Sequence, residues 1–228
     1  MLVSASLKTM SVVASMLLLV ACAGVETTEP AQTHDGLVLV PDTKVDAVYK
    51  KPGADLKAFS EFGIEPCEVA FKKNWLRDQN QSRIDLSSRV TQKDVDKIKD
   101  TLSDSCTGAF RESLLADPAY ALVDNYSDGE AVLILRPSII NLDINAPDVR
   151  STGMSRSYTT SAGEMTLSLE LVDATTGEVL ARVIDKKRGM DTGRMEWTSS
   201  VSNKADADRT LRRWAQLLRD GLDEARGI

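Results

Sequence analysis

Residues 165–184 read MTLSLELVDATTGEVLARVI, and this stretch decides the fold. From Met165 to Leu171, apolar residues at odd positions alternate with Thr, Ser or Glu at even positions. A period of two is typical of a strand with one buried face. Residues 174–177, Ala-Thr-Thr-Gly, supply turn-forming residues, and a second apolar run continues to Ile184. The pattern predicts an antiparallel β-hairpin.

Shorter strand-like runs precede this hairpin. They are rich in Val, Ile, Leu, Phe or Tyr and are bounded by turn residues. A proline inside such a run indicates an interruption, a bulge or a sheet edge, because it cannot donate a ladder hydrogen bond. Four runs predict strands: 37–40, 62–71 with Pro66, 120–124, and 131–144 with Pro137.

Two segments have the period of amphipathic helices. The first covers residues 92–116; Thr91 and Asp94 predict a capping box at its start, and Pro118 ends it. The second begins near Asp206 and carries an apolar stripe opposite its charged residues. Each stripe needs a partner surface, so both segments are expected to pack on the sheet.

The order of these elements predicts the architecture. A strand, a helix and another strand in succession favour a parallel crossover, whereas the later hairpin adds antiparallel strands. Two helices with one apolar stripe each can cover one face of such a sheet. We therefore expect an α/β fold, a two-layer sandwich with a mixed, mostly antiparallel sheet of about five strands and two amphipathic helices on one face.

The amino end resembles a bacterial lipoprotein signal. Lys8 precedes an uncharged run at 11–20, which is shorter than the roughly 20 apolar residues that a spanning helix needs. The run ends in LVAC at residues 19–22, which resembles a lipobox and predicts lipidation and cleavage at Cys22. An ordinary signal peptide that happens to contain a cysteine is the alternative, and a transmembrane anchor is a weaker one.

This interpretation divides the chain into three parts: a signal peptide at 1–21, a lipidated N-terminus with a flexible tether at 22–36, and a single periplasmic α/β domain at 37–228. The tether is rich in Thr, Glu and Pro, which have little apolar surface to bury. Ala23 and Gly24 follow the cysteine without an aspartate. By resemblance to sorted lipoproteins, this favours the periplasmic face of the outer membrane.

The composition argues against some partners. The chain has a formal net charge of -6, so it has no general electrostatic reason to bind nucleic acid or an anionic lipid surface. Basic clusters lie at 72–73, 186–188 and 212–213. Blocks this short are typical of a solvated surface, and we interpret them in that way.

Two cysteines remain after Cys22, namely Cys67 and Cys106. Both share the apolar phase of their predicted strand or helix, so both are expected to be buried. A disulfide between them would close a loop of about 40 residues and stabilise the fold by roughly 3 to 4 kcal/mol. Two buried free thiols are the alternative, and the sequence does not decide between them.

The sequence offers little catalytic chemistry. Its single histidine, His34, lies in the predicted tether, so the domain lacks a histidine base for a triad. Residues 153–157, Gly-Met-Ser-Arg-Ser, lack the last glycine of a nucleophile elbow, and no Cys/His cluster has zinc spacing. We expect no enzymatic activity, no metal and no cofactor apart from the lipid on Cys22. A carboxylate-dependent hydrolase of cell-wall material is the alternative, because two distant acids leave no spacing signature.

One surface stands out as a candidate interaction site. Because the hairpin is antiparallel, the loop that enters it, about 145–161, and the loop that leaves it, about 189–203, must emerge at the same end of the sheet. Both loops contain Arg or aromatic residues, which are enriched at interface hot spots. Two loops without a partner are the alternative. The residues of this predicted surface are Arg150, Arg156, Tyr158, Arg194 and Trp197.

Several motifs resemble one family. VAFKKNW at 69–75, GEMTL at 163–167 and DATTGEVLA at 173–181 are similar to the bacterial lipoprotein family known as domain of unknown function 3313. The likeness runs from about Gly36 to the end of the second helix, and Pro66 is a departure from it. The family has no assigned activity, so the resemblance supplies a label and no catalytic residues. The predicted anchor, the lack of catalytic groups and the converging loops favour a non-catalytic binding or adaptor module of the cell envelope, with an envelope protein or glycan as partner. The hairpin is also similar to auxiliary lipoproteins of lipid-transport systems, which is the alternative function.

Overall fold

The computed structural model describes residues 31–81, 83, 86, 89–126, 131–144, 157–159, 163–188, 196–198 and 200–228, and for 157–159, 196–198 and 200–203 it describes the backbone. Within these ranges the chain has ten strands, three α-helices and one short 3-10 helix at Leu56–Ala58. The strands are β1 Val38–Val40, β2 Ala47–Lys50, β3 Glu61–Ile64, β4 Glu68–Phe71, β5 Ala121–Leu122, β6 Val132–Ile144, β7 Ser157–Thr159, β8 Gly163–Asp173, β9 Val179–Arg188 and β10 Glu196–Thr198. The helices are α1 Trp75–Gln81, α2 Gln92–Leu115 and α3 Ser200–Arg226.

The predicted hairpin is confirmed as strands β8 and β9. They pair antiparallel from Glu164 opposite Arg188 to Val172 opposite Val179. The turn between them is closed by Asp173, whose N–H donates to the Glu178 carbonyl at 3.0 Å. The odd-numbered residues of β8 from Met165 to Leu171 are buried, as their alternation predicts, because they form the face that packs against the helices.

The main sheet has eight strands rather than about five. Its order is β1-β2-β9-β8-β6-β3-β5, and β4 also pairs with β6. The sequence analysis missed β2, whose four residues Ala47–Lys50 are too few to show a period. This segment becomes a strand because the edge of β9 offers it a full ladder, with Ala47 opposite Ile184.

The interruption predicted at Pro66 divides one strand into β3 and β4. Both pair parallel to β6, which also confirms the predicted crossover. Thr107 and Ser103 of α2 replace the missing ladder at the break: the Cys67 N–H donates to Thr107 Oγ1, and Ser103 Oγ donates to the Cys67 carbonyl. Pro137 of β6 lies opposite this gap, where a residue without an N–H costs no ladder hydrogen bond.

Both predicted long helices are present as α2 and α3. Thr91 and Asp94 form the predicted capping box at the start of α2. Helix α3 begins at Ser200, about two turns before the expected start. The sequence analysis missed α1, Trp75–Gln81, because its polar residues show no stripe.

One hydrophobic cluster joins the two helices to one face of the sheet. On β6, Leu133, Leu135 and Ile139 belong to it, together with Phe110 of α2 and Trp214 of α3. The other phase of β6, with Val132 and Ile134, belongs to a separate small cluster. The two long helices therefore cover one face of the sheet.

A buried arginine connects the two helices away from the sheet. Arg219 of α3 is 5 % exposed, and its guanidinium donates to the carbonyls of Ser113, Ala116 and Pro118 at 3.2, 3.1 and 2.6 Å. It also forms an ion pair with Asp223 at 2.8 Å. Arg219 thus satisfies carbonyls at and beyond the C-terminus of α2, which have no partner inside that helix.

The segment before β1 is held against the sheet. Residues 31–33 run antiparallel to 37–39, and the Leu39 N–H donates to the Ala31 carbonyl at 3.0 Å. Leu37 is buried, and Asp35 forms an ion pair with Arg182 of β9 at 2.7 Å. The sequence analysis placed residues 31–36 in the flexible tether. That assignment is wrong for them, because the Arg182 partner lies 147 residues away and leaves no local signal.

Candidate functional site

The candidate site lies where the two predicted loops leave the sheet. Strand β6 ends at Ile144 opposite Gly163 of β8, and Arg188 at the end of β9 lies opposite Glu164. We call this end, defined by Ile144, Gly163 and Arg188, the loop end. The opposite end, which contains the turn between Asp173 and Val179, is the turn end.

A small second sheet joins the two loops. Strand β7 lies in the first loop and β10 in the second, and they pair antiparallel with Tyr158 opposite Trp197. Thr159 is only four residues before Gly163, so the contour length of the chain keeps this ribbon within about 15 Å of the loop end. Three residues of the predicted surface, Arg150, Arg156 and Arg194, lie outside the described residues.

Ion pairs cross the sheet at the loop end. Lys72, just after β4, contacts Asp143 of β6 at 2.9 Å. Glu164 of β8 contacts Lys186 and Arg188 of β9 at 3.2 and 2.8 Å. Desolvation raises the pKa of the Glu164 carboxyl, but the hydrogen bonds from its two basic partners outweigh this effect and lower the pKa below its ordinary value. The hydrogen bond to Asp143 raises the pKa of Lys72.

Helix α1 covers part of this end. Trp75 Nε1 and Gln79 Nε2 both donate to the Ile144 carbonyl, at 3.3 and 3.1 Å. The Trp75 ring packs on Phe71 of β4 with its centroid 4.2 Å away. Beside it lies an open hollow of about 380 Å³, lined by Arg77, Asn80, Gln81 and Arg89. Helix α1 therefore adds Arg77 to the loop end, and the segment after it adds Arg89.

A fully buried carboxylate lies under the same region. Asp185 Oδ2 accepts from Trp214 Nε1 at 2.6 Å and contacts Lys187 Nζ at 2.9 Å, and its Oδ1 accepts from the Asp46 N–H at 3.2 Å. These contacts join β2, β9 and α3. Because both oxygens have partners, the arrangement is that of a packing junction rather than of a free acid or base.

The two described cysteines, Cys67 and Cys106, lie apart from the loop end. Cys22 is outside the described residues. Cys67 and Cys106 form a disulfide with a Cα–Cα distance of 6.0 Å, and both residues are buried. The bond connects the break between β3 and β4 to the middle of α2, so it fixes the helix at the interrupted strand.

The described part of the chain lacks two kinds of feature. It contains no cluster of three or more His, Cys, Asp or Glu residues that could bind a metal ion. None of its helices is both long and apolar enough to cross a membrane. The histidine, His34, lies in the turn between residues 33 and 37, away from the loop end.

The fold and the site define a class of protein: an α/β domain with two long helices on one face of a mixed, mostly antiparallel sheet. The chain belongs to the family described as protein of unknown function DUF3313, whose model matches residues 35–218. The resemblance inferred from the motifs is thereby confirmed. A comparison with curated proteins gave no match.

Several solved structures have a distantly similar arrangement. The PelC dodecamer from Paraburkholderia phytofirmans has 11% identity and a TM-score of 0.36, over 75% of this chain and 96% of that chain. A homologue of neuraminyllactose-binding hemagglutinin from Helicobacter pylori has 10% identity and a TM-score of 0.43, over 75% and 88%. Protein XCC0632 from Xanthomonas campestris, of the DUF330 family, has 15% identity and a TM-score of 0.37, over 78% and 90%.

Proposed function

We propose that the chain is a non-catalytic binding module of the bacterial cell envelope, anchored to the periplasmic face of the outer membrane by lipid on Cys22. The LVAC motif at residues 19–22 supports the anchor. Its partner, an envelope protein or glycan, binds at the loop end.

The observation that carries this proposal is the pairing of Tyr158 with Trp197. Directly opposite residues of an antiparallel pair share one face of the ribbon. The two loops, which are far apart in sequence, therefore each place one aromatic residue at the same register position. Tyr and Trp supply large contact areas with few rotatable bonds, which is why they are common among interface hot spots.

The absence of a catalytic role is proposed on chemical grounds. The sequence has one histidine, and it lies in the hairpin before β1. Three carboxylates of the described loop end, Asp143, Glu164 and Asp185, are each ion-paired with a lysine or an arginine. A general acid needs a raised pKa, whereas that of Glu164 is lowered.

In vivo crosslinking tests the binding site. Tyr158→Ala and Trp197→Ala should remove the crosslinked partner, because they delete the aromatic pair while leaving the main sheet intact. Leu115→Ala is the matched control, since Leu115 is 49% exposed at the other end of α2. If the partners of the two aromatic variants equal those of the control, the loop end is not the binding site.

Fatty-acid labelling tests the anchor. Labelled palmitate should be incorporated into the wild-type chain, and Cys22→Ser should abolish both the label and the cleavage, because only a thiol forms the thioether. Cys106→Ser serves as the control and should retain the label. Incorporation that survives Cys22→Ser would show that the LVAC motif is not the modified site.

A further inference from the structure

The hairpin before β1 sets the direction in which the chain leaves the domain. Strand β1 is antiparallel to β2, which is antiparallel to β9, so β1 and β9 both run toward the loop end. Residues 31–33 run antiparallel to β1. Residue 31, the first described residue, therefore lies at the end of this segment that is nearer the loop end.

The chain between the predicted anchor and this hairpin is short. Residues 22–30 have a contour length of about 30 Å when extended. The hairpin lies beside Arg182 of β9. Arg188, at the loop end, is six residues further along β9, a distance of about 20 Å. A lipid on Cys22 therefore keeps the loop end within reach of the membrane surface.

The topology also collects basic residues at the loop end. Residues 72–89 contain five basic and two acidic residues, and 186–188 contain three basic residues, in a chain whose net charge is -6. They lie together because β4 is parallel to β6 and because α1 packs on the end of β6. Within the described residues, the carboxylates that contact them include Asp46, Asp78, Asp143, Glu164 and Asp185.

In each of these ion pairs the cation is the more exposed partner. The side chain of Lys72 is 55% exposed against 23% for Asp143. Lys186 and Arg188 are 42% and 74% exposed against 22% for Glu164. The carboxylates of these pairs are thus less exposed than their cations, and we call Lys72, Lys186 and Arg188 the basic layer of the described loop end. The charges of the chain as a whole gave no indication of this arrangement.

We propose that the loop end is a second membrane contact, in which this basic layer binds the phosphate groups of the membrane that holds the anchor. The proposal rests on the proposed function, since the lipid on Cys22 brings the loop end to that surface. The pairing of Tyr158 with Trp197 at the same end supports it, because Tyr and Trp favour the membrane–water interface.

Vesicle co-sedimentation tests the proposal. The mature chain with Cys22→Ser, produced without the signal peptide, is mixed with phosphatidylcholine vesicles that contain or lack phosphatidylglycerol. Binding should require phosphatidylglycerol and should weaken with salt, because the contact is electrostatic. The loop-end variant Lys72→Gln, Lys186→Gln and Arg188→Gln should lower the partition coefficient by roughly 10- to 100-fold, since each basic residue near an anionic surface contributes to binding.

The matched control removes three cations elsewhere. Lys51, Lys57 and Arg111 lie toward the turn end or on the helices near it, and Lys51→Gln, Lys57→Gln and Arg111→Gln give the same change in net charge. This variant should lower the partition coefficient by less than about 3-fold, because charges far from the surface are screened. Equal losses for the two triple variants, or no preference of the parent chain for phosphatidylglycerol, would overturn the proposal.

The outcomes separate this inference from the proposed function. Palmitate labelling at Cys22 without vesicle binding leaves the anchor in place and removes only the second contact. Loss of a crosslinked partner in Trp197→Ala, together with unchanged vesicle binding in the loop-end triple variant, supports the proposed function and overturns only the membrane contact. Vesicle binding of the unlipidated chain without any palmitate label in the wild type removes the anchor and leaves a peripheral contact.

Discussion

Arg219 provides the sharpest test of what stabilises the fold. Its guanidinium serves three backbone carbonyls and Asp223 in an almost fully buried position, and it lies 4.7 Å from the centre of the Tyr120 ring. Arg219→Met keeps most of the apolar stem and removes the charge. The carbonyls then lose their donor where water has little access, and Asp223 loses its ion pair. Breaking a buried charged pair in this way costs about 3–5 kcal/mol.

The measurement is urea unfolding of the mature chain followed by circular dichroism, together with the thermal midpoint. For a domain of this size, 1 kcal/mol corresponds to roughly 2–4 °C, so the midpoint should fall by roughly 6–20 °C. The control is Arg209→Met on the same helix. The Arg209 side chain is 66% exposed and forms an ion pair with Asp206 one turn away, so its loss should cost less than about 1 kcal/mol. If the two variants lose the same free energy of unfolding, Arg219 does not hold α2 and α3 together.

Three further changes probe other parts of the structure. Cys67→Ser opens a disulfide that spans 39 positions and should lower the free energy of unfolding by about 4 kcal/mol in the chain-entropy model. If dithiothreitol lowers the thermal midpoint of the variant as much as that of the wild type, the disulfide does not account for the lost stability. Hydrogen bonding from Arg182 lowers the pKa of Asp35, so this pair stabilises the fold above the ordinary carboxyl pKa and the stabilisation is lost as the pH falls toward the lowered value. Asp35→Asn should therefore reduce stability at neutral pH and flatten the acid side of a stability curve measured between pH 2 and 7; an unchanged slope would contradict the ion pair. Gly163→Ala would place a Cβ 2.0 Å from the Asp143 carbonyl oxygen at a φ of +124°, and we expect a cost of at least about 1–3 kcal/mol in urea unfolding. Gly108→Ala, in open space within α2, should instead stabilise the fold by up to about 1 kcal/mol. If both glycine variants change the free energy of unfolding in the same direction, the predicted clash at Gly163 is wrong.

Part of the candidate site was predictable from local pattern. The alternation at residues 165–171 and the turn after it predict the hairpin, and an antiparallel hairpin requires its entering and leaving loops to share one end of the sheet. Tyr158 and Trp197 were selected on that argument, and their backbones are paired. The register of that pair depends on two chain segments 39 residues apart, so no local signal could have given it.

The meeting of basic residues at the loop end, by contrast, was not predictable from the local pattern. The clusters at 72–73 and 186–188 look like ordinary solvated surface in the sequence, because each is short and the chain as a whole is acidic. Their meeting depends on the parallel pairing of β4 with β6 and on the antiparallel pairing of β8 with β9. Which partner of each ion pair is the more exposed likewise depends on the folded sheet.

Three elements have a local cause and follow from the sequence: the hairpin at residues 165–184, the capping box of Thr91 and Asp94, and the break at Pro66. Each depends on periodicity, a cap or a missing N–H within a few residues. Only the tertiary structure decided that Ala47–Lys50 is a strand, that Asp35 holds the entering chain on Arg182, and that Cys67 is bonded to Cys106. These contacts join residues 39 to 147 positions apart. They stabilise the fold only once the sheet has brought the two partners together, so no local signal in the sequence indicates them.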